Sequence, residues 1–150
     1  MVETWPTRIV AGAAGMKQRA LSQCFALGAL KLCGADKRPS GSGSRVGLSR
    51  PRAYQAAAMK QLHRNGLSIP HAARVAFEFS DVGNINRAPG ELFAHGTTHL
   101  VVTPDGATVK NCFADTSISE ISNSACVIIV NCNQIVQQVD AVLNNERSYD

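Results

Sequence analysis

Residues 7–28, TRIVAGAAGMKQRALSQCFALG, decide how the rest of the chain is read. Residues 7–15 predict a short helix, with Thr7 as its N-cap and Gly15 as its stop. Residues 17–27 predict a second helix. In it Ala20, Leu21, Cys24, Phe25 and Leu27 form an apolar stripe at helical spacing, and Gly28 closes the run. Lys17, Gln18, Arg19, Ser22 and Gln23 fall off that stripe and are expected to face outward. The unit is therefore helix, glycine turn, helix, with a polar and basic outer face.

Working outward, residues 31–48 hold four glycines, one proline and four bases, a composition that excludes a regular helix. This stretch reads as a flexible linker or as a two-stranded wing with a basic Gly/Ser tip. Ser49 then marks an N-cap, with Pro51 in the first turn of a third helix. Tyr54, Ala57, Ala58 and Leu62 share one face of that helix, which stops at Asn65-Gly66. Ser68 and Pro70 open a fourth helix that ends near Ser80. Residues 81–97 read as a connector. Beyond it the apolar period changes. Residues 98–103 and 107–112 predict a hairpin around Pro104-Asp105-Gly106. Cys126 to Val130 predicts a buried strand. Asn131 caps a last helix with an Ile135, Val136, Val139, Val142, Leu143 stripe, which would pack on its own sheet or across a two-fold axis. The expected fold is α+β. Residues 1–80 form four short helices with a β wing, residues 81–97 connect, and residues 98–150 form a small β-β-β-α segment for dimerisation or partner binding.

Charge is divided sharply along the chain. Residues 1–75 carry twelve Lys/Arg against Glu3 and Asp36, whereas residues 76–150 carry three bases against nine acids. The basic half is expected to meet a polyanion. Lys37, Arg38 and Arg45 flank the Gly/Ser tip, and Arg50 and Arg52 lie at the start of the third helix, where a docked phosphate would offset their unfavourable position. The five cysteines, at 24, 33, 112, 126 and 132, match no zinc or disulfide framework. Cys24 reads as core, Cys126 as a strand residue and Cys33 as an exposed thiol near the wing. The four histidines show no metal-ligand spacing, and no nucleophile, base and acid are spaced as a catalytic set. No cofactor, no metal and no enzymatic activity are expected. The N-terminus lacks the regions of a signal peptide, so a cytoplasmic location and no membrane association are expected.

Residues 7–80 resemble the DNA-binding domain of MerR-type transcriptional regulators, a winged helix-turn-helix. The resemblance is carried by Ala11, Gly15, Arg19, Leu21, Gly28 and Leu30, and by the run from His63 to Ile69 followed by Pro70. The chain departs from the family at Ser22, Gln23 and Cys24, where an Arg-Tyr-Tyr cluster is usual, and in the wing, which lacks its aromatic. The resemblance implies sequence-specific binding of double-stranded DNA, as a homodimer, by a transcriptional regulator with altered DNA contacts. The DNA-contacting set is then Lys17, Gln18, Arg19, Ser22, Gln23, Lys37, Arg38, Arg45, Arg50 and Arg52. An excisionase-like DNA-bending protein and an interaction adaptor with a basic surface are the alternatives.

Overall fold

The computed structural model describes residues 2–41, 43 and 45–146. Ser42 and Ser44 of the expected Gly/Ser tip, and 147–150 of the expected C-terminal segment, lie outside the described residues. The element order is β1 (Thr4–Pro6), α1 (Thr7–Ala14), α2 (Gln18–Ala26), β2 (Gly47–Ser49), α3 (Arg50–Arg64), α4 (Ile69–Ser80), β3 (Thr97–Thr103), β4 (Gly106–Cys112), α5 (Ile118–Ile121), β5 (Ile128–Asn131) and α6 (Cys132–Leu143). The class is α+β, with six helices and two small antiparallel sheets among the described residues.

Helix α3 lies at the centre because alanine makes it narrow. Every residue from Arg52 to Met59 is buried, and four of them are alanines. Alanine has the highest helix propensity and lets neighbouring backbones approach closely. Helices α1, α4 and α6 all pack against α3, and α1 and α4 bring buried alanines of their own. A core with so few aromatic residues is built in this way from closely approaching helices. Helix α1 ends as its sequence requires, with Gly15 in the left-handed conformation (φ 71°) and its N–H returned to Ala11 and Gly12. Its N-cap is Pro6 rather than Thr7. Thr7 is already helical because Pro6 ends β1 in an extended conformation.

Residues 31–46 contain no strand among the described residues. The loop meets the start of β2 at an isolated bridge between Lys37 and Gly47. The ladder forms instead between β2 and β1, with Trp5 opposite Leu48. Strand β1 was not expected from the sequence, since three residues are too few to show a period. The hairpin 97–112 is as expected, and β5 adds to the other edge of β3, giving the order β4-β3-β5. Cys126 is a correction. It precedes β5 and is exposed, so the strand begins later than the apolar run suggests, and within β5 Val130 alone is buried.

The stripe of α6 packs within the chain. Ile135, Val139 and Leu143 join one hydrophobic core with Trp5, Val10, Leu21 and Leu62. That core crosses from the basic half to the acidic half. The connecting segment is held by Arg87, which is buried yet faces no carboxylate within ion-pair distance among the described residues. Its guanidinium donates to the carbonyls of Glu78, Phe79, Val82, Ala88 and Glu91 at 2.6–3.2 Å, and it lies over the rings of Phe79 and Phe93. Burial lowers its pKa, but an arginine stays protonated.

Candidate nucleic-acid interface

Helix α2 has three distinct sides. Leu21 and Cys24 are buried against the core. Gln18, Ser22 and Phe25, three and four residues apart, line one edge. Arg19 and Gln23 stand opposite the buried side and are exposed, as is Lys17 at the N-cap. Two residues of the expected stripe are corrections. Ala20 is exposed, and Leu27, the C-cap beyond the helix, is 77% exposed, so the buried side is confined to Leu21 and Cys24.

Two hollows run along the Gln18–Ser22–Phe25 edge. One, of about 500 Å³, is lined by Thr7, Ser22, Phe25, Lys31, Leu32, Arg38 and Val46. The other, of about 350 Å³, is lined by Pro6, Thr7, Arg8, Gln18, Arg45 and Val46. They share Thr7 and Val46 and so adjoin each other between α2 and the loop 31–46, together making up a basic groove. Four expected residues from two distant segments, Gln18, Ser22, Arg38 and Arg45, meet there. No Asp or Glu is among the residues lining either hollow. Arg8 and Lys31 join the groove without having been singled out in the sequence. Arg8 lies in the first turn of α1, where the pattern predicts only a supporting helix, and its basic charge was the one available signal.

The remaining bases separate into three situations. Lys37 is half-buried, its backbone paired with Gly47. Arg50 turns toward the acidic half. Its guanidinium pairs with Asp140 at 2.5 Å, approaches Glu3 at 3.7 Å and stacks over the Trp5 ring at 5.0 Å. Burial would lower its pKa, but the Asp140 hydrogen bond holds it above the usual value. Arg52 is a correction. It is 1% exposed and cannot reach a phosphate.

Arg52 is instead the hub that fixes the basic loop. Its guanidinium donates to Asp36 at 2.8 Å and to both oxygens of Asp81 at 2.9 Å, and it also contacts Gln55 and the Cys33 thiol. Asp36 in turn accepts from the Cys33 N–H and from the N–H and hydroxyl of Ser49. Asp36, from the loop, and Asp81, after α4, are thereby tied to α3. Burial alone would lower the arginine's pKa, yet the bonds to Asp81 and Asp36 hold it above its ordinary value. Cys33 is half-buried rather than an exposed thiol. Burial raises its pKa more than Arg52 lowers it, which disfavours the thiolate.

No group of three or more His, Cys, Asp or Glu among the described residues is placed to hold a metal ion. No helix of the described residues is long and apolar enough to cross a membrane. Compared with known proteins, the chain matches no protein-family model and no curated protein sequence.

Proposed function

We propose that this chain binds double-stranded DNA with sequence preference, as a winged helix-turn-helix in which α2 is the recognition helix and the loop 31–46 is the wing. The observation that carries this reading is the groove in which Gln18, Ser22, Arg8, Lys31, Arg38 and Arg45 converge with no acid among them. A major groove admits one helix, whose outer side chains reach base edges while flanking bases neutralise phosphates. Arg19, Gln23 and Lys17 supply the outer side, with Arg19 suited to guanine and Gln18 or Gln23 to adenine. Arg38 and Arg45 supply flanking charge. One such domain makes few base contacts, so the protein acts as a dimer on paired half-sites and serves as a transcriptional regulator.

Selection of bound fragments from random duplexes, followed by salt titration, tests this directly. The expected result is an enriched motif and an affinity that falls steeply with salt, as counterion release requires. Arg19→Ala should cost about 1–3 kcal/mol on the selected site and relax preference at one base pair. Arg38→Ala and Arg45→Ala should weaken all duplexes alike and flatten the salt dependence. Duplex binding that is absent or insensitive to salt would overturn the reading and favour an acidic protein partner for the basic surface, whereas an equal loss for Arg19→Ala on selected and random duplexes would overturn base readout by α2.

A further inference from the structure

A cleft of about 630 Å³ opens behind the loop that borders the basic groove. Its apolar lining is Ala29, Leu32, Pro70, Ala73 and Phe77, beside Cys33 and Gln55, whose amide is held by Arg52 and the Ala73 carbonyl. That volume lies within the roughly 300–1,000 Å³ of small-molecule sites, which are mostly apolar with a few placed polar groups. Lys31 and Arg74 also line it, and neither makes an ion pair among the described residues. Glu78 is the one acid of the lining, so the cleft carries a single surplus positive charge. Phe77 leaves 37% of its surface exposed there, an apolar face available to a ligand.

Two of these residues have a second role. Lys31 and Leu32 line both this cleft and the larger hollow of the basic groove. The segment is thus a wall that borders both the cleft and the groove. The next residue, Cys33, is tied through Asp36 and Arg52 to α3, so the shared wall is anchored at that end. A ligand that draws Lys31 toward the cleft removes a cation from the groove. A group that changes the equilibrium between two positions of Lys31 necessarily couples the two sites.

We propose that this cleft binds a small apolar monocarboxylic acid, and that its occupancy weakens binding in the basic groove through the shared Lys31–Leu32 wall. The coupling rests on the DNA-binding reading, whereas the cleft itself does not. The probe is 1-anilinonaphthalene-8-sulfonate, apolar and singly anionic, read by fluorescence with the full chain and no DNA. We expect a saturable one-site isotherm. Naphthalene-2-carboxylate should displace the dye, and the uncharged naphthalene-2-carboxamide should do so about tenfold less well, the loss of one charge-assisted hydrogen bond. Ala29→Trp, which fills the cleft from a half-buried position, should abolish the isotherm. Arg74→Glu, at an exposed position, should weaken it about tenfold, with both variants keeping the wild-type melting temperature. In the second arm, saturating carboxylate should lower the affinity for a random-sequence duplex about fivefold in the parent and leave that of Ala29→Trp unchanged. Absence of a saturable isotherm, equal displacement by acid and amide, or folded Ala29→Trp and Arg74→Glu variants that bind as the parent does would overturn the site. A normal isotherm with a duplex affinity indifferent to the carboxylate would overturn the coupling. A chain that binds the dye as expected but no duplex would defeat the DNA-binding reading and the coupling while leaving the acid site established.

Discussion

At the scale of single residues, Arg52 shows how position overrides residue type. The same residue type stands at 50 and 52, two apart at the start of α3, yet one side chain is partly open and the other sealed. Replacing Arg52 with Met would leave Asp36 and Asp81 buried without their cation. We expect a loss of about 3–5 kcal/mol in urea unfolding, because an uncompensated buried charge is far costlier than a missing pair. The salt dependence of duplex binding should not change for Arg52→Met, whereas it should for Arg38→Ala. Cys132 and Tyr54 make a second expectation, for alkaline pH. Burial pushes the Cys132 thiol up to about 12. Burial first, then the 2.8 Å hydrogen bond donated to Asp140, raises the Tyr54 phenol above its ordinary value. A thiol in the unfolded chain ionises near pH 8.5, so the unfolded state loses its proton first as pH rises. The stability that both groups contribute is therefore intact below that pH. For Cys132 it declines by about 1.4 kcal/mol per pH unit between roughly 8.5 and 12. Urea midpoints measured across this window should fall less steeply in Cys132→Ala than in the parent.

At the scale of elements, the helix starts were legible and their chemistry was mixed. Ser68 accepts from the His71 N–H, and Asn131 from the Gln134 N–H, as N-caps should. Ser68→Ala and Asn131→Ala should each cost about 1 kcal/mol, and the two losses should add, since they cap different helices. Ser49 occupies the same sequence context but makes no side-chain cap bond, and its hydroxyl donates to Asp36 instead. Loss of the Ser49 hydroxyl should therefore act on the basic loop, and a double mutant with Asp36→Asn should be less than additive. The far end of α4 has no comparable local signal. Its last carbonyls are taken up by Arg87, whose place in the fold is set by a tight turn between Asn84 and Arg87. Gly83, before that turn, has no room for a side chain. A Cβ there would lie 2.8 Å from the Arg87 carbonyl and 2.7 Å from Pro89.

At the scale of the whole molecule, α6 supports a surface it does not belong to. It packs against α1 and α3, and Gln138 donates to the Ala13 carbonyl at the end of α1. Arg50 and Tyr54 reach across to Asp140 on the same helix. Burial of Ile135, Val139 and Leu143 supplies about 1.5–3 kcal/mol each, which together rivals the total stability of a small domain. We expect a chain ending before β5 to lose cooperative unfolding and duplex binding together, as read by circular dichroism and gel shift. A truncated chain that unfolds cooperatively at the parent's midpoint would show that the basic half stands alone.

The sequence by itself determined the approximate extents of five of the six helices among the described residues, the hairpin, the outward side of α2 and the separation of charge along the chain, but not the short α5 or the capping residue of α1. Each is a local property, written in caps, glycines, periodicity and residue type within a few positions. Only the tertiary structure decided that the loop 31–46 borders α2, that Arg8 and Lys31 join that groove while Arg52 leaves it, and that α6 closes the core of the basic half. Those outcomes depend on pairings between residues tens of positions apart, such as Arg52 with Asp81 and Tyr54 with Asp140. Charge pattern reports how many bases a segment has. Whether a base meets solvent or a buried carboxylate depends on which distant acid the fold brings beside it.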